Sequence, residues 1–228
     1  KNQHIILKTK DLSIGYDSKK AKTIVASNIN IELKQGELVG LIGANGIGKS
    51  TLLRTLTHVQ NPIDGSIQIN KKNILEYNPL DLAKVMSLVL TEQVTSKNLS
   101  VFELIALGRQ PYTNWLDKIS KSDEEKIEWA IKQTTISHLT DKKIHQLSDG
   151  QLQRVLIARA LAQDTEVIIL DEPTAHLDMH HTYKIFQLLK KLVETTSKTI
   201  IVSTHQINLA LEIVDELIVM KPNELVHN

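Results

Sequence analysis

The stretch Gly43-Ala44-Asn45-Gly46-Ile47-Gly48-Lys49-Ser50 decides the fold predicted for this chain of 228 residues. It matches the pattern G-x-x-x-x-G-K-[ST] at every fixed position, between an apolar run at residues 38–42 and a helical segment at residues 51–57. Glycines let the backbone wrap around a phosphate chain, so that successive N–H groups and a helix start face its oxygens. We therefore predict a nucleoside triphosphate site, with Lys49 on the outer phosphates and Ser50 on magnesium.

Apolar runs and helical patterns alternate along most of the chain, which predicts an α/β fold with a mainly parallel sheet. Runs that are apolar on both faces, typical of strands buried in such a sheet, occur at residues 38–42, 87–90, 167–170, 199–203 and 217–220. Apolar residues at helical spacing occur at residues 152–161 and 185–193.

Two parts of the chain depart from this alternation. Near the start, residues 5–9 and 12–16 are short strand candidates, and residues 28–33 alternate polar and apolar side chains as a half-buried antiparallel strand does. Residues 99–163 offer helices but no convincing strand, most clearly at residues 101–108 and 123–133. We interpret this second part as a helical lobe inserted into the sheet domain, because no linker-like stretch sets it apart.

Two acidic residues, Asp171 and Glu172, follow the buried run at residues 167–170. Parallel sheets bind their ligands at this carboxyl edge, and isolated charges are too costly to bury in a core. One acid would coordinate magnesium, and the other would position or deprotonate an attacking water. Pro173 favours an extended backbone at Glu172.

The sequence Leu147-Ser148-Asp149-Gly150-Gln151 precedes a helical segment and allows two interpretations. Ser148 and Gln151 have the spacing of a capping box, which satisfies the free N–H groups at a helix start. The same helix start, with a glycine that permits close approach, would also suit an anion. The spacing alone does not choose between these interpretations.

Composition excludes several classes of protein. Lys and Arg number 27 against 26 Asp and Glu, so the basic excess of a protein that coats nucleic acid is missing. The chain has no cysteine, which excludes disulfides, thiolate metal sites and cysteine nucleophiles. No run approaches the ~18 apolar residues of a membrane helix, and the first residues do not resemble a signal peptide.

Taken in order, these motifs resemble those of the ATP-binding subunits of ATP-binding cassette (ABC) transporters, over essentially the whole chain. The phosphate-binding stretch is similar to the Walker A motif, residues 167–172 to Walker B, and residues 147–151 to the family signature. Gln93 stands at the place of the Q-loop glutamine. Residues 175–178 resemble the D-loop, and His205 resembles the switch histidine.

The resemblance implies a role for each matching residue. The implied ATP contacts are Tyr16, stacked on adenine, and Gly43, Asn45, Gly46, Gly48, Lys49, Ser50 and Thr51. The implied ligands of a Mg²⁺ ion bound with ATP are Ser50, Gln93 and Asp171. Glu172 would be the general base for water, and His205 would contact the γ-phosphate.

A second group of residues is expected to act across a head-to-tail dimer that sandwiches two ATP molecules. The residues that would close over ATP on the other subunit, or meet that subunit, are Ser148, Gly150, Gln151 and Asp178. Asp149 replaces the glycine of the commonest signature, and a carboxylate would repel phosphate. We therefore do not assign Asp149 to the nucleotide.

The fold implied by the resemblance is a P-loop NTPase (RecA-like) core with a mainly parallel sheet, an N-terminal antiparallel β portion and an inserted helical subdomain. One ABC ATPase domain would span residues 1–228, with a core lobe at 1–95 and 164–228 and a helical subdomain at 96–163. The implied partners are a second copy, transmembrane permease subunits and, indirectly, a periplasmic or lipoprotein substrate-binding protein, without nucleic acid. The subunit would be cytoplasmic, on the inner face of the plasma membrane.

A finer resemblance concerns the cargo. Leu107-Gly108-Arg109-Gln110-Pro111-Tyr112, Asp149 and residues 160–164 are similar to stretches in importers of iron–siderophore complexes, haem and cobalamin. They imply an ATP-hydrolysing subunit that energises import of a ferric siderophore or haem. A cobalamin importer, an exporter and a non-transport ABC ATPase remain alternatives, although too few residues separate Gln93 from Leu147 for the coiled coils of DNA-acting relatives.

Overall fold

The computed structural model describes residues 4–18, 21–90, 98–113, 119–221 and 224–227. The strands are β1 Ile5–Ser18, β2 Ala21–Ile29, β3 Glu32–Lys34, β4 Leu38–Gly43, β5 Asp64–Ile69, β6 Lys72–Asn73, β7 Met86–Val89, β8 Val167–Leu170, β9 Thr199–Thr204, β10 Glu216–Lys221 and β11 Glu224–His227. The α-helices are α1 Lys49–Leu56, α2 Pro79–Val85, α3 Val101–Ala106, α4 Lys121–Gln133, α5 Asp149–Ala162, α6 Met179–Thr196 and α7 Ile207–Ile213. None of the helices within these ranges is long and apolar enough to cross a bilayer.

The strands form two sheets. The six-stranded sheet has the order β11-β10-β4-β9-β8-β7, and its pairs are parallel except for β10 with β11. The five-stranded sheet contains β1, β2, β3, β5 and β6, and all its pairs are antiparallel. The predicted combination of a mainly parallel core with an N-terminal antiparallel portion is therefore confirmed.

The two faces of the parallel sheet are covered by different elements, and the alternation of side chains along each strand explains how. On one face, Val167 and Ile169 join a cluster with the antiparallel sheet and α1. On the other face, Ile168 and Leu170 join a cluster with helices α3 to α6. Because both faces are covered, each residue of β8 is buried, which is why the strand is apolar throughout.

The helical stretch predicted at residues 99–163 contains α3, α4 and α5, with no named strand among its described residues. Helices α3 and α4 both pack on α5, and their apolar residues share one cluster with the sheet. The segment predicted as a helix at residues 101–108 is α only to Ala106 and continues as a 3₁₀ turn, Leu107–Tyr112, which contains Pro111.

The strand predicted at residues 28–33 is wrong. Strand β2 ends at Ile29 and β3 begins at Glu32, with Asn28 in the left-handed region at φ 55°. Both strands pair with β1, and between them a side chain takes the place of a backbone partner. Oδ1 of Asn30 accepts a hydrogen bond from the Asp11 N–H of β1 at 2.9 Å. The two short candidates at residues 5–9 and 12–16 form a single strand, β1, with irregular pairing near Asp11.

Candidate functional site

The phosphate-binding stretch lies between β4 and α1, as its pattern predicts. Gly46 and Gly48 both adopt positive φ, at 76° and 113°, which a side chain would strain. A Cβ atom on Gly48 would also lie 2.4 Å from Cγ1 of Val25. Glycine is therefore required at the residue that immediately precedes α1.

Lys49 begins α1 and points its ammonium back across the loop. Its Nζ donates to the carbonyl oxygens of Gly43 at 3.0 Å and Ala44 at 3.3 Å. The same Nζ lies 3.2 Å from Oε1 of Glu172, and the Lys49 side chain is only 4% exposed. The loop after β4 and the acids after β8 therefore meet at one buried positive charge.

Asp171 and Glu172 are both fixed by a residue of the neighbouring strand β9. The Ser203 hydroxyl donates to Oδ1 of Asp171 at 2.8 Å and accepts from the Glu172 N–H at 2.7 Å. Sequence reasoning missed Ser203. A buried hydroxyl needs a polar partner, but β9 also contains Thr199 and Thr204, so the sequence does not single out Ser203.

The backbone at Glu172 differs from the extended conformation expected before Pro173. Glu172 has φ 44°, in the left-handed region. Strand β8 has already ended at Leu170, and the Glu172 carbonyl accepts from the Ala175 N–H at 3.2 Å within a turn. Such a conformation in a residue other than glycine costs free energy and persists only where the surroundings hold it. Here it turns the carboxylate toward Lys49.

Two of the expected magnesium ligands lie at the ends of elements that form this site. Ser50 is in the first turn of α1, and Asp171 is buried directly after β8. Hydroxyl and carboxylate oxygens suit Mg²⁺, which retains waters and takes substrate phosphate oxygens, so that few protein ligands are needed. The donor set therefore fits a magnesium ion. Gln93 lies outside the described residues.

Tyr16 of β1 and His205, which follows β9, approach the same region. The Tyr16 hydroxyl is 3.0 Å from Oγ1 of Thr51 in α1, and its side chain remains exposed. His205 directly follows β9 and is exposed. Thr204 at the end of β9 pairs with Ile42 of β4, which places His205 at the same sheet edge as the phosphate loop.

The signature-like stretch forms the predicted capping box. The Gln151 N–H donates to Oγ of Ser148 at 3.3 Å, and the Ser148 N–H donates to Oε1 of Gln151 at 3.1 Å. Among the residues that the structure describes, no hydrogen bond or ion pair joins Ser148, Gly150 or Gln151 to the phosphate loop. Within one chain, these residues and the loop are therefore separate groups.

Asp178 caps helix α6 in a similar way. Its Oδ1 accepts from the His181 N–H at 2.8 Å, and both carboxylate oxygens lie 2.9 Å from Nδ1 of the same residue. The hydrogen bonds from the His181 backbone and side chain lower the pKa of Asp178 from its ordinary value. Sequence reasoning assigned no role to His181.

Comparison with known proteins connects this geometry to a family. The sequence model described as ABC transporter matches residues 26–175. The ferric enterobactin transport ATP-binding protein of Escherichia coli is 35% identical, over 96% of this chain and 80% of that protein. The iron(3+)-hydroxamate import ATP-binding protein of Bacillus subtilis is 34% identical, over 96% of this chain and 80% of that protein.

Solved structures resemble the whole described fold. An inward-facing ABC transporter described as of a metal-chelate type has a TM-score of 0.85 at 27% identity, and the match covers 99% of this chain and 83% of that one. A dimeric ATP-binding cassette bound to ADP and phosphate in a post-hydrolysis state has a TM-score of 0.82 at 30% identity, with 98% of both chains covered.

Proposed function

The chain belongs to the ABC transporter family, and on that premise we propose that it hydrolyses ATP to energise an importer of ferric siderophores. The observation that carries the catalytic part is the convergence of Lys49, Asp171 and Glu172 at one sheet edge. The cargo is supported by two relatives, ATP-binding proteins named for ferric enterobactin transport and iron(3+)-hydroxamate import. A haem importer, a cobalamin importer, an exporter and a non-transport ABC ATPase are the alternatives.

In the proposed reaction, the phosphates of ATP bind the ammonium of Lys49. The Lys49–Glu172 contact of 3.2 Å then breaks, because the phosphates and the Glu172 carboxylate compete for the same positive charge. Glu172 is left free to orient a water and accept its proton, while the Ser203 hydroxyl keeps its backbone in place. His205, at the end of β9, would contact the γ-phosphate. A bound Mg²⁺ would neutralise charge on the phosphate oxygens.

The signature residues require a second copy of the chain to reach a nucleotide. Ser148, Gly150 and Gln151 form a helix start that, among the described residues, has no hydrogen bond or ion pair to the phosphate loop of its own chain. A related cassette has been solved as a dimer bound to ADP and phosphate. We place these three residues on ATP held by the partner, and Asp178 against the partner subunit, in a head-to-tail dimer that opens after hydrolysis.

The remaining assignments follow from the family. The subunit would act on the cytoplasmic face of the plasma membrane, bound to transmembrane permease subunits and supplied indirectly by a substrate-binding protein. Residues 96–163 would form a helical subdomain against a core lobe at 1–95 and 164–228. The relatives named for iron(3+)-hydroxamate import and ferric enterobactin transport support the proposed link to a transporter.

The Glu172→Gln variant tests the catalytic proposal. It removes the base but keeps a side chain of the same shape, so phosphate release should fall about 100-fold or more. ATP should then hold a stable dimer, which size-exclusion chromatography detects. The matched control is Glu166→Gln, an exposed glutamate that immediately precedes β8. Hydrolysis at the normal rate in Glu172→Gln would refute the general-base role.

A further inference from the structure

His181 links the starts of two helices that belong to different parts of the chain. It is the third residue of α6, while Gly150 is the second residue of α5. A Cβ atom on Gly150 would lie 3.1 Å from Cδ2 and 3.6 Å from Cγ of the His181 ring. The ring therefore packs directly over the glycine of the signature-like turn.

The other edge of the same ring holds Asp178. Nδ1 of His181 lies 2.9 Å from both carboxylate oxygens, in addition to the bond from the His181 backbone N–H. A carboxylate that is 66% exposed would otherwise be fixed by a single backbone donor. The ring nitrogen is a second donor to this carboxylate, so its loss would leave the carboxylate freer to turn.

We propose that His181 is a positioning residue that fixes Asp178 against the signature turn, so that both reach the partner subunit as one surface. The inference rests on the proposed function, because it assumes that Gly150 and Asp178 meet the second subunit. His181 need not touch the nucleotide itself. It acts by joining the start of α5 to the start of α6 before the dimer closes.

Loss of the His181 side chain should therefore raise the ATP concentration that dimer formation needs. The affinity of a single chain for nucleotide should not change. Among the described residues, His181 has no hydrogen bond to the phosphate loop or to Tyr16. In a Glu172→Gln background, His181→Ala should raise the ATP concentration for half-maximal dimer formation about fivefold, a modest shift because the pair is half-exposed. The affinity of the monomer for a fluorescent ATP analogue should stay the same.

Two further variants separate positioning from a general effect on the helix. His181→Asn keeps a donor at the place of Nδ1 and loses the ring, so its dimerisation should lie between those of the parent and His181→Ala. His180→Ala is the matched control, because it removes the adjacent exposed histidine, whose ring meets His181 edge-on at 5.7 Å between centroids. It should dimerise as the parent does.

The experiment distinguishes failure of this inference from failure of the proposed function. If Glu172→Gln dimerises with ATP and His181→Ala dimerises equally well, the positioning role is overturned and the proposed function stands. An equal shift in His180→Ala, a lower monomer affinity for nucleotide in His181→Ala, or an Asn variant no better than Ala would also overturn it. If Glu172→Gln itself shows no ATP-dependent dimer, the proposed dimer fails and this inference fails with it.

Discussion

Ser203 is the residue through which the two acids after β8 are held in place. Its hydroxyl donates to Asp171 and accepts from the Glu172 backbone, and no other hydroxyl of the described residues joins both. Asp171 is buried, and a buried carboxylate needs hydrogen-bond donors. The proposed chemistry at Glu172 therefore depends on a side chain that never needs to touch ATP.

Ser203→Ala should consequently lower ATP hydrolysis about 10- to 100-fold, as is typical when a residue that orients a catalytic group is lost. Binding of nucleotide should change much less, because Lys49 and the loop keep their own contacts. Steady-state phosphate release and nucleotide titration measure the two effects. Ser87→Ala is the control, since Ser87 is also a buried serine in the same sheet, hydrogen-bonded to Thr165. Equal losses in both variants would contradict the orienting role.

At this scale, the sequence predicts residues that belong to a contiguous motif and misses residues that act from a neighbouring strand. The phosphate loop is recognisable because its glycines, lysine and serine have fixed spacing. Ser203 and His181 become visible only when β8 meets β9 and α5 meets α6. The left-handed backbone of Glu172 was likewise unpredictable, because it depends on tertiary hydrogen bonds that override the local preference set by Pro173.

Among the elements, the 3₁₀ turn Leu107–Tyr112 is held in the helical part of the chain by a buried ion pair. Nε of Arg109 lies 2.8 Å from Oδ1 of Asp123 in α4, and both side chains are 6% exposed. The same guanidinium donates to the Ala162 carbonyl at the end of α5, at 2.7 Å, and stacks over the Tyr112 ring. One side chain therefore ties the turn to two helices.

Arg109→Met should lower the free energy of unfolding by about 3–5 kcal/mol, because it leaves Asp123 buried without its partner. Urea denaturation measures the change. The control is Lys126→Met, since Lys126 pairs with Asp164 at 2.6 Å but is 43% exposed, and its loss should cost about 0–1 kcal/mol. A loss in Arg109→Met as small as in the control would show that the buried pair does not stabilise the fold.

The cost of Arg109→Met should depend on pH. Burial opposes ionisation of Asp123, yet hydrogen bonds from Ser120 and Arg109 outweigh it and hold the pKa of Asp123 below its ordinary value. A lowered pKa contributes stability above the pKa of the unfolded chain, and that contribution is lost as pH falls through the folded value. The difference in unfolding free energy between wild type and Arg109→Met should therefore shrink on acidification below about pH 4. A constant difference would contradict the ion-pair interpretation.

The sequence predicts a helix or strand best where its apolar pattern is long, or where a strand is apolar on both faces. Strands β4, β8 and β9 were predicted to within a residue or two, because burial on both faces leaves an unmistakable run. The strand at residues 28–33 failed although its apolar residues Ile29, Ile31 and Leu33 are all buried. Alternation reports which side chains face the core, but it does not show where one strand ends and the next strand of the same sheet begins.

For the whole molecule, the order of strands explains why distant motifs meet. Strands β4, β9 and β8 are adjacent and parallel, so the phosphate loop, His205 and the acid pair all follow carboxyl ends at one edge. The helices on the opposite face of the sheet present a second helix start, with Ser148 and Gly150, that does not contact this edge through any described hydrogen bond. Each chain thus carries two separate half-sites, the phosphate-loop edge and the start of α5. This arrangement suits a dimer in which the two half-sites of different copies enclose ATP.

Affinity capture from the cells that produce the protein would show whether this ATPase energises an importer. The full-length protein would be extracted in mild detergent, captured and analysed by mass spectrometry, with the Glu172→Gln variant captured in parallel. We expect a polytopic permease of an iron-chelate importer to co-purify with both proteins. Recovery of ribosomes, nucleic acid or an exporter chain instead would leave the ATPase site intact and contradict the transport assignment.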